Sequence, residues 1–254
     1  MRLEGKVAVI TGAASGMGQA MAELFSAEGA KIVAADWHQE SLDPVVAAIK
    51  AAGGEIVGVQ GNVALKADCE RVIDTAVATY GGLDILCNNA GVMDQFQPVG
   101  DLSDDVYERV MSINLNGPVY LSRKAVPLMI ARGGGSVIMT ASAAGSGGGA
   151  AGAAYTISKH ALIGLTRSTA YSYALQGIRC NAMACGGVET NIQQSIDPAT
   201  VDQAGAARYG AYQALIPAFL KPIEIAQLAL FLASDDSKHV NGAIIPIDGG
   251  WTVA

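Results

Sequence analysis

Apolar residues in this chain gather in short runs, separated by longer stretches of helical pattern. The runs are KVAVIT (6–11), KIVAAD (31–36), EIVGVQ (55–60), LDILCNN (83–89), GSVIMT (135–140), IRCNAM (178–183) and AIIPID (243–248). Several are almost continuously apolar, which is the pattern of strands buried on both faces. The stretches between them predict helices over Gly16 to Glu28, near 39–52, over 65–80 ending at Gly81-Gly82, and over about 103–131. Pro118 is expected to break the last of these, since proline cannot continue a helix interior. A further helix carries Tyr155 and Lys159, and another covers 223–234. Residues 187–221 have no clear strand signal, and a connection of that length predicts a functional lid.

Strand–helix alternation with apolar strands predicts an α/β fold. It is a doubly wound, seven-stranded parallel sheet with helices on both faces, in a single domain spanning 1–254. Composition agrees: 51% hydrophobic and 15% charged residues in 254 exclude a disordered chain. A net charge of −7 with no basic run argues against a nucleic-acid partner. No stretch reaches membrane-spanning length, and the N-terminal apolar run is too short for a signal peptide, so a soluble cytoplasmic protein is expected. The four cysteines form no CxxC pair and the three histidines are far apart, so no metal site is expected.

The chemistry starts with Tyr155 and Lys159. Four positions apart on a helix, they share a face one turn from each other, with Leu162 and Thr166 further along it. A free phenol is too weak a base near neutral pH, and a neighbouring cation favours the phenolate. The first strand ends in TGAASGMG (11–18), with glycines at 12, 16 and 18. Such a turn tightens, lets backbone approach a pyrophosphate, and sets a helix N-terminus against its charge. Asp36 ends the second strand, where a carboxylate binds adenosine-ribose hydroxyls and repels a 2′-phosphate. The residues after it are Trp37 and His38, and no Arg or Lys stands beside it.

Taken with NV (62–63), NNAG (88–91), SINLNG (112–117), Ser142, YTISK (155–159), Thr190 and IPIDGG (245–250), these motifs resemble the short-chain dehydrogenase/reductase family over nearly the whole chain. The resemblance implies a Rossmann fold and NAD(H) as cofactor. Tyr155 would be the general acid/base and Lys159 its cationic neighbour, also holding the nicotinamide ribose. Ser142 would hydrogen-bond the substrate oxygen, and Asn114 would anchor a proton-relaying water. Gly12, Ser15, Gly16, Met17 and Gly18 would hold the pyrophosphate, Asp36 and Trp37 the adenosine ribose, and Asn62 and Val63 the adenine. Asn89, Ala90 and Gly91 would line the cofactor, and Val188 and Thr190 would hold the carboxamide.

One segment departs from the family pattern. MACGGVET (183–190) has Cys185 where relatives carry proline, which puts the rigidity of the nicotinamide pocket in question. Cys185 reads better as a small apolar filler than as a reactive thiol. The expected activity is NAD-dependent interconversion of a secondary alcohol and a ketone. The alternatives are a 3-oxoacyl-thioester reductase of fatty-acid type and a cofactor-binding regulator without catalysis. Met93, Asp94, Gln95, the glycine-rich 145–152 stretch and the lid should shape the substrate site. The resemblance also implies a homo-oligomer, a tetramer for preference, with Ala161, Gly164 and Ala170 as small residues suited to helix packing between subunits.

Overall fold

The computed structural model describes residues 1–253. Seven strands alternate with helices: β1 (Val7–Thr11), α1 (Gly16–Ala27), β2 (Lys31–Asp36), α2 (Gln39–Ala51), β3 (Ile56–Gln60), α3 (Lys66–Tyr80) and β4 (Ile85–Asn88). The second half holds α4 (Asp104–Met111), α5 (Gly117–Ala131), β5 (Gly135–Thr140), α6 (Ala153–Tyr173), β6 (Ile178–Cys185), α7 (Gln203–Gln213), α8 (Pro222–Ala233) and β7 (Ile244–Ile247). The strands form one sheet in the order β3-β2-β1-β4-β5-β6-β7. Every pairing is parallel, with Val9 opposite Val33 on one side and Leu86 on the other.

The apolar runs are explained by the two cores. Alternate residues of a strand point to opposite faces. Ala8, Ile10, Ile32 and Ala34 pack with Phe25 of α1 and Ile225 of α8. Val7, Val9, Val33 and Ala35 face the other way, toward Ile73 of α3, Leu121 of α5 and Leu162 of α6. With both faces covered, a polar position on either one would be buried without water. The strand order reverses between β1 and β4, and the crevice at their carboxyl ends is where such sheets take ligands.

Two expectations change. Pro118 does not break the 103–131 helix. Ser112–Asn116 instead widens into a π-helical turn, with the Gly117 N–H reaching back to the Ser112 carbonyl, and Pro118 sits in the first turn of α5. The backbone stays helical through the turn, and the local widening accommodates a residue with no N–H to donate. The 187–221 stretch is not irregular throughout. It contains α7, capped by the Asp202 side chain, and a parallel bridge between Val188 and Leu220. Its small, polar sequence gives α7 no apolar stripe of its own, which is why it is illegible as a helix before packing is known.

Candidate active site

Most of the candidates lie at the carboxyl ends of the parallel strands, while Asn114, Tyr155 and Lys159 come from helical segments. The glycine turn follows β1, Asp36 and Trp37 end β2, and Asn62 and Val63 follow β3. Asn89–Gly91 follow β4, Ser142 follows β5, and Val188 and Thr190 follow β6. A sheet of parallel strands gathers these distant segments on one edge because every strand arrives there pointing the same way.

The turn between β1 and α1 is built for close approach. Gly12 and Gly16 have φ of 67° and 54°, a region that L-residues rarely adopt. A side chain on Gly18 would collide with the Gly12 carbonyl oxygen, at 2.0 Å. Thr190 lies over Gly16, 3.2 Å from where a Cβ would stand, so the carboxyl end of β6 meets the helix start here. Ser15, the residue before α1, makes no side-chain cap, and the first turn, with Met17, holds no acidic residue. These N–H groups are therefore available to an external anion. The donor set thus fits a dinucleotide pyrophosphate.

Asn89 fastens this turn from the neighbouring strand. Its amide nitrogen donates to the Thr11 carbonyl (2.9 Å) and the Gly12 carbonyl (3.4 Å), and its Oδ1 accepts from the Thr140 hydroxyl (3.3 Å). Thr11 Oγ1 accepts from the N–H groups of Asn89 and Ala90, both at 3.1 Å. Thr11 and Thr140 are site residues that sequence reasoning did not single out. At strand ends they read as ordinary β-formers, and only the register shows them bridging.

Asp36 is partly buried. Its Oδ2 accepts from the Ala14 N–H (3.0 Å) and its Oδ1 from the His38 N–H (3.1 Å), and no ion pair to it occurs among the described residues. Each oxygen keeps a lone pair for a ribose hydroxyl. Trp37 is exposed and leans on His38. Asn62 Oδ1 accepts from the Ala64 N–H (3.0 Å), which leaves its NH2 group free, and Val63 packs beside Gly117.

The face that Tyr155 and Lys159 share turns inward, with Leu162 and Thr166 buried along it. Tyr155 is 7% exposed and Lys159 3%. Lys159 Nζ donates to the Thr140 carbonyl at 2.8 Å and lies 5.3 Å from the Tyr155 ring centre. Gly91 lies against both Asn114 and Lys159: a Cβ there would be 3.3 Å from Asn114 Oδ1 and 3.6 Å from Lys159 Nζ. Burial lowers the Lys159 ammonium to about 8. In the protein alone, burial outweighs any lowering of the Tyr155 pKa by the cation. Burial pushes the phenol above its ordinary value; the Ser142 hydroxyl opposes this, while Cys185, Tyr209 and Asp94 add to it.

Asn114 lies in the π-helical turn and is fully buried. Its side chain is committed: Oδ1 accepts from the Val92 N–H and Nδ2 donates to the Val92 carbonyl, both at 2.9 Å. Pro118, four residues on, has no N–H to offer the Asn114 carbonyl, so that oxygen lacks its usual helical donor. Cys185 ends β6, buried with its thiol pushed up to about 12 by burial, as an inert filler should be.

Tyr155 belongs to an apolar cluster with Met93, Phe96, Ala143, Ala150 and Trp251, packed against Tyr209 of α7. The lid therefore packs against this cluster, and Met93 is part of it. Asp94 does not line it. It is fully buried, and its carboxylate is spent on backbone N–H groups.

A family model described as enoyl-(acyl carrier protein) reductase matches residues 12–252. The chain belongs to the short-chain dehydrogenase/reductase family. Among its relatives, the 3beta-hydroxysteroid dehydrogenase 2 of Eggerthella lenta is 42% identical, over 98% of this chain and 96% of that protein. The 3-oxoacyl-(acyl-carrier-protein) reductase of Thermotoga maritima is 37% identical over the full length of both. The crystal structure of levodione reductase superposes with a TM-score of 0.90 at 32% identity, covering both chains completely. The Rossmann fold is thus shared with solved members of the family, and the chain is an oxidoreductase that takes a nicotinamide cofactor.

Proposed function

We propose that this short-chain dehydrogenase/reductase uses NAD(H) to interconvert a secondary alcohol and a ketone, with Tyr155 as the proton donor and acceptor. The observation that carries the reading is the buried pair of Tyr155 and Lys159 beside Ser142, at the mouth of the glycine turn. When bound, the nicotinamide supplies or takes the hydride. Ser142 hydrogen-bonds the substrate oxygen. In reduction the phenol, kept protonated by burial, gives its proton to that oxygen. The Lys159 ammonium favours the phenolate left behind and holds the ribose hydroxyls, while the Thr140 carbonyl fixes its position. In oxidation the phenol must lose its proton, which the positive charge of the oxidised ring assists. The Asn114 carbonyl anchors the water that reloads Lys159; its side chain holds the turn instead.

Asp36 supports NAD(H) over NADP(H), because its carboxylate meets a 2′-phosphate with no cation to offset the repulsion. Ser15 to Gly18 take the pyrophosphate, Trp37 flanks the ribose, and Asn62 and Val63 meet the adenine. Asn89, Ala90 and Gly91 line the cofactor, while Val188 and Thr190 hold the carboxamide.

The apolar cluster around Tyr155 supports an uncharged, bulky cyclic substrate, in keeping with the hydroxysteroid dehydrogenase among the relatives. A second reading, a 3-oxoacyl-thioester reductase, is favoured by the Thermotoga maritima relative. The protein is read as one domain over 1–254, working in the cytoplasm as a homotetramer. Gly164 is open to a partner helix, whereas Ala170 is buried in its own subunit and is withdrawn from that surface.

A panel of cyclic ketones and acetoacetyl-thioesters, each with NADH and NADPH and read at 340 nm, tests the reading. We expect turnover of cyclic ketones, with kcat/KM at least about tenfold higher with NADH. Turnover confined to the thioesters with NADPH would replace it with the second reading. Tyr155→Phe should abolish most turnover yet still bind NADH.

A further inference from the structure

Asp94 is the buried group that the proposed chemistry leaves unused. It stands after β4, fully buried, with two backbone N–H groups on Oδ1, from Phe96 (3.0 Å) and Gly152 (3.2 Å). The Tyr155 N–H donates to Oδ2 at 2.9 Å. Gly152 is the residue immediately before α6, and having no side chain it cannot cap the helix. The N–H of Tyr155, third in the helix, would otherwise be an orphan donor in a buried place. A carboxylate 58 residues back supplies what a local serine or aspartate usually does, and its charge is favoured at a helix start. The glycine is required for this: a Cβ at residue 152 would stand 2.7 Å from Asp94 Oδ2.

The same strand-end segment receives the lid. The Asp202 N–H donates to the Gln95 carbonyl and the Met93 N–H to Ser195 Oγ, both at 2.9 Å. Phe96 stacks on Tyr209 with ring centres 4.9 Å apart. Phe96 holds φ at 59°, a conformation a phenylalanine rarely adopts, and its N–H is the one bonded to Asp94.

We propose that Asp94 is a positioning residue: it fixes the backbone of Tyr155 at the start of α6 and, through Phe96, sets the surface on which the lid closes. The proposal rests on Tyr155 being the proton donor. An ordinary structural cap would stabilise the helix without touching the chemistry. Here the capped residue is the reacting one, so a small loss of register moves the phenol against Ser142 and the substrate, and small misplacements cost rate heavily.

The groups facing Asp94 are the Tyr155 phenol and, from α4, Arg109, whose guanidinium donates to the Met93 carbonyl and feels the carboxylate. Those facing the phenol are Ser142, Lys159, Cys185, Tyr209 and Asp94. Removing the Asp94 charge takes away one contribution that disfavours the phenolate, so the alcohol-oxidation profile should move to lower pH.

The test uses the full chain with Asp94→Ala and Asp94→Asn. We expect Asp94→Ala to lower kcat by about tenfold or more. Its NADH dissociation constant should be unchanged, and hydrogen exchange should quicken at the amides of residues 152–155. Asp94→Asn keeps the size and loses the charge and one acceptor, so it carries the test should the alanine variant not fold. Its kcat should fall and its oxidation profile should shift to lower pH. Folded variants with wild-type kcat and an unmoved profile would overturn the proposal and leave Asp94 a simple cap. Tyr155→Phe is the control: if it keeps full turnover, the proton-donor reading fails, and the amide exchange still reports whether Asp94 holds α6.

Discussion

Lys159 and Tyr155 show how burial reshapes residues whose spacing is plain in the sequence. Four positions apart, they had to share a helix face. That this face is the buried one follows from Leu162 and Thr166, which continue it into the core. Burial disfavours both charged forms, so the phenol rises and the ammonium falls to about 8. The pH dependence follows with its sign. In the proposed mechanism reduction needs a charged Lys159 to favour the phenolate, and the ammonium loses its proton as pH rises through about 8. We therefore expect kcat/KM for ketone reduction to fall above about pH 8, because that parameter reports groups of the free enzyme. A profile flat to pH 10, taken from initial rates of NADH oxidation, would mean that the charge on Lys159 is dispensable. Asp94 stood at the same scale in the sequence as a polar loop residue beside the substrate. Only the fold turned it inward to the start of α6.

At the scale of elements, the strands and most helices were legible because two apolar faces leave a signal in every strand. The π-helical turn at 112–116 and α7 were not. The first depends on Asn114 and Val92 meeting across 22 residues, and the second on what it packs against. The lid offers a direct test. At Gly205 in α7 an added Cβ would fall 1.9 Å from the Phe96 carbonyl oxygen. Backbone cannot yield cheaply there, so Gly205→Ala should displace α7, raise KM for the ketone, and cost about 1–3 kcal/mol of stability. Chemical denaturation and steady-state kinetics would show both. An unchanged KM would separate α7 from the substrate site.

For the whole molecule, the proposed binding surface is spread over the carboxyl ends of six strands, so a dinucleotide bound there would tie both halves of the sheet together. At about 100 times its dissociation constant NADH should stabilise the fold by about 2.7 kcal/mol. For a chain of this size that raises Tm by about 5 °C or more. The same concentration of NADPH should raise it less, because Asp36 opposes the 2′-phosphate, and a thermal scan with each cofactor checks this. An equal shift would remove Asp36 as the discriminating residue. The sequence by itself determined the alternation of strands and helices, the glycine turn, the Asp36 carboxylate and the shared face of Tyr155 and Lys159. Each of these depends only on neighbours within a turn or a strand. The tertiary structure decided which groups spend their hydrogen bonds on one another. Asn114 turned to Val92, Asn89 to Thr11 and Asp94 to Tyr155, because a buried donor or acceptor must find a partner and only the packed chain brings those partners within reach.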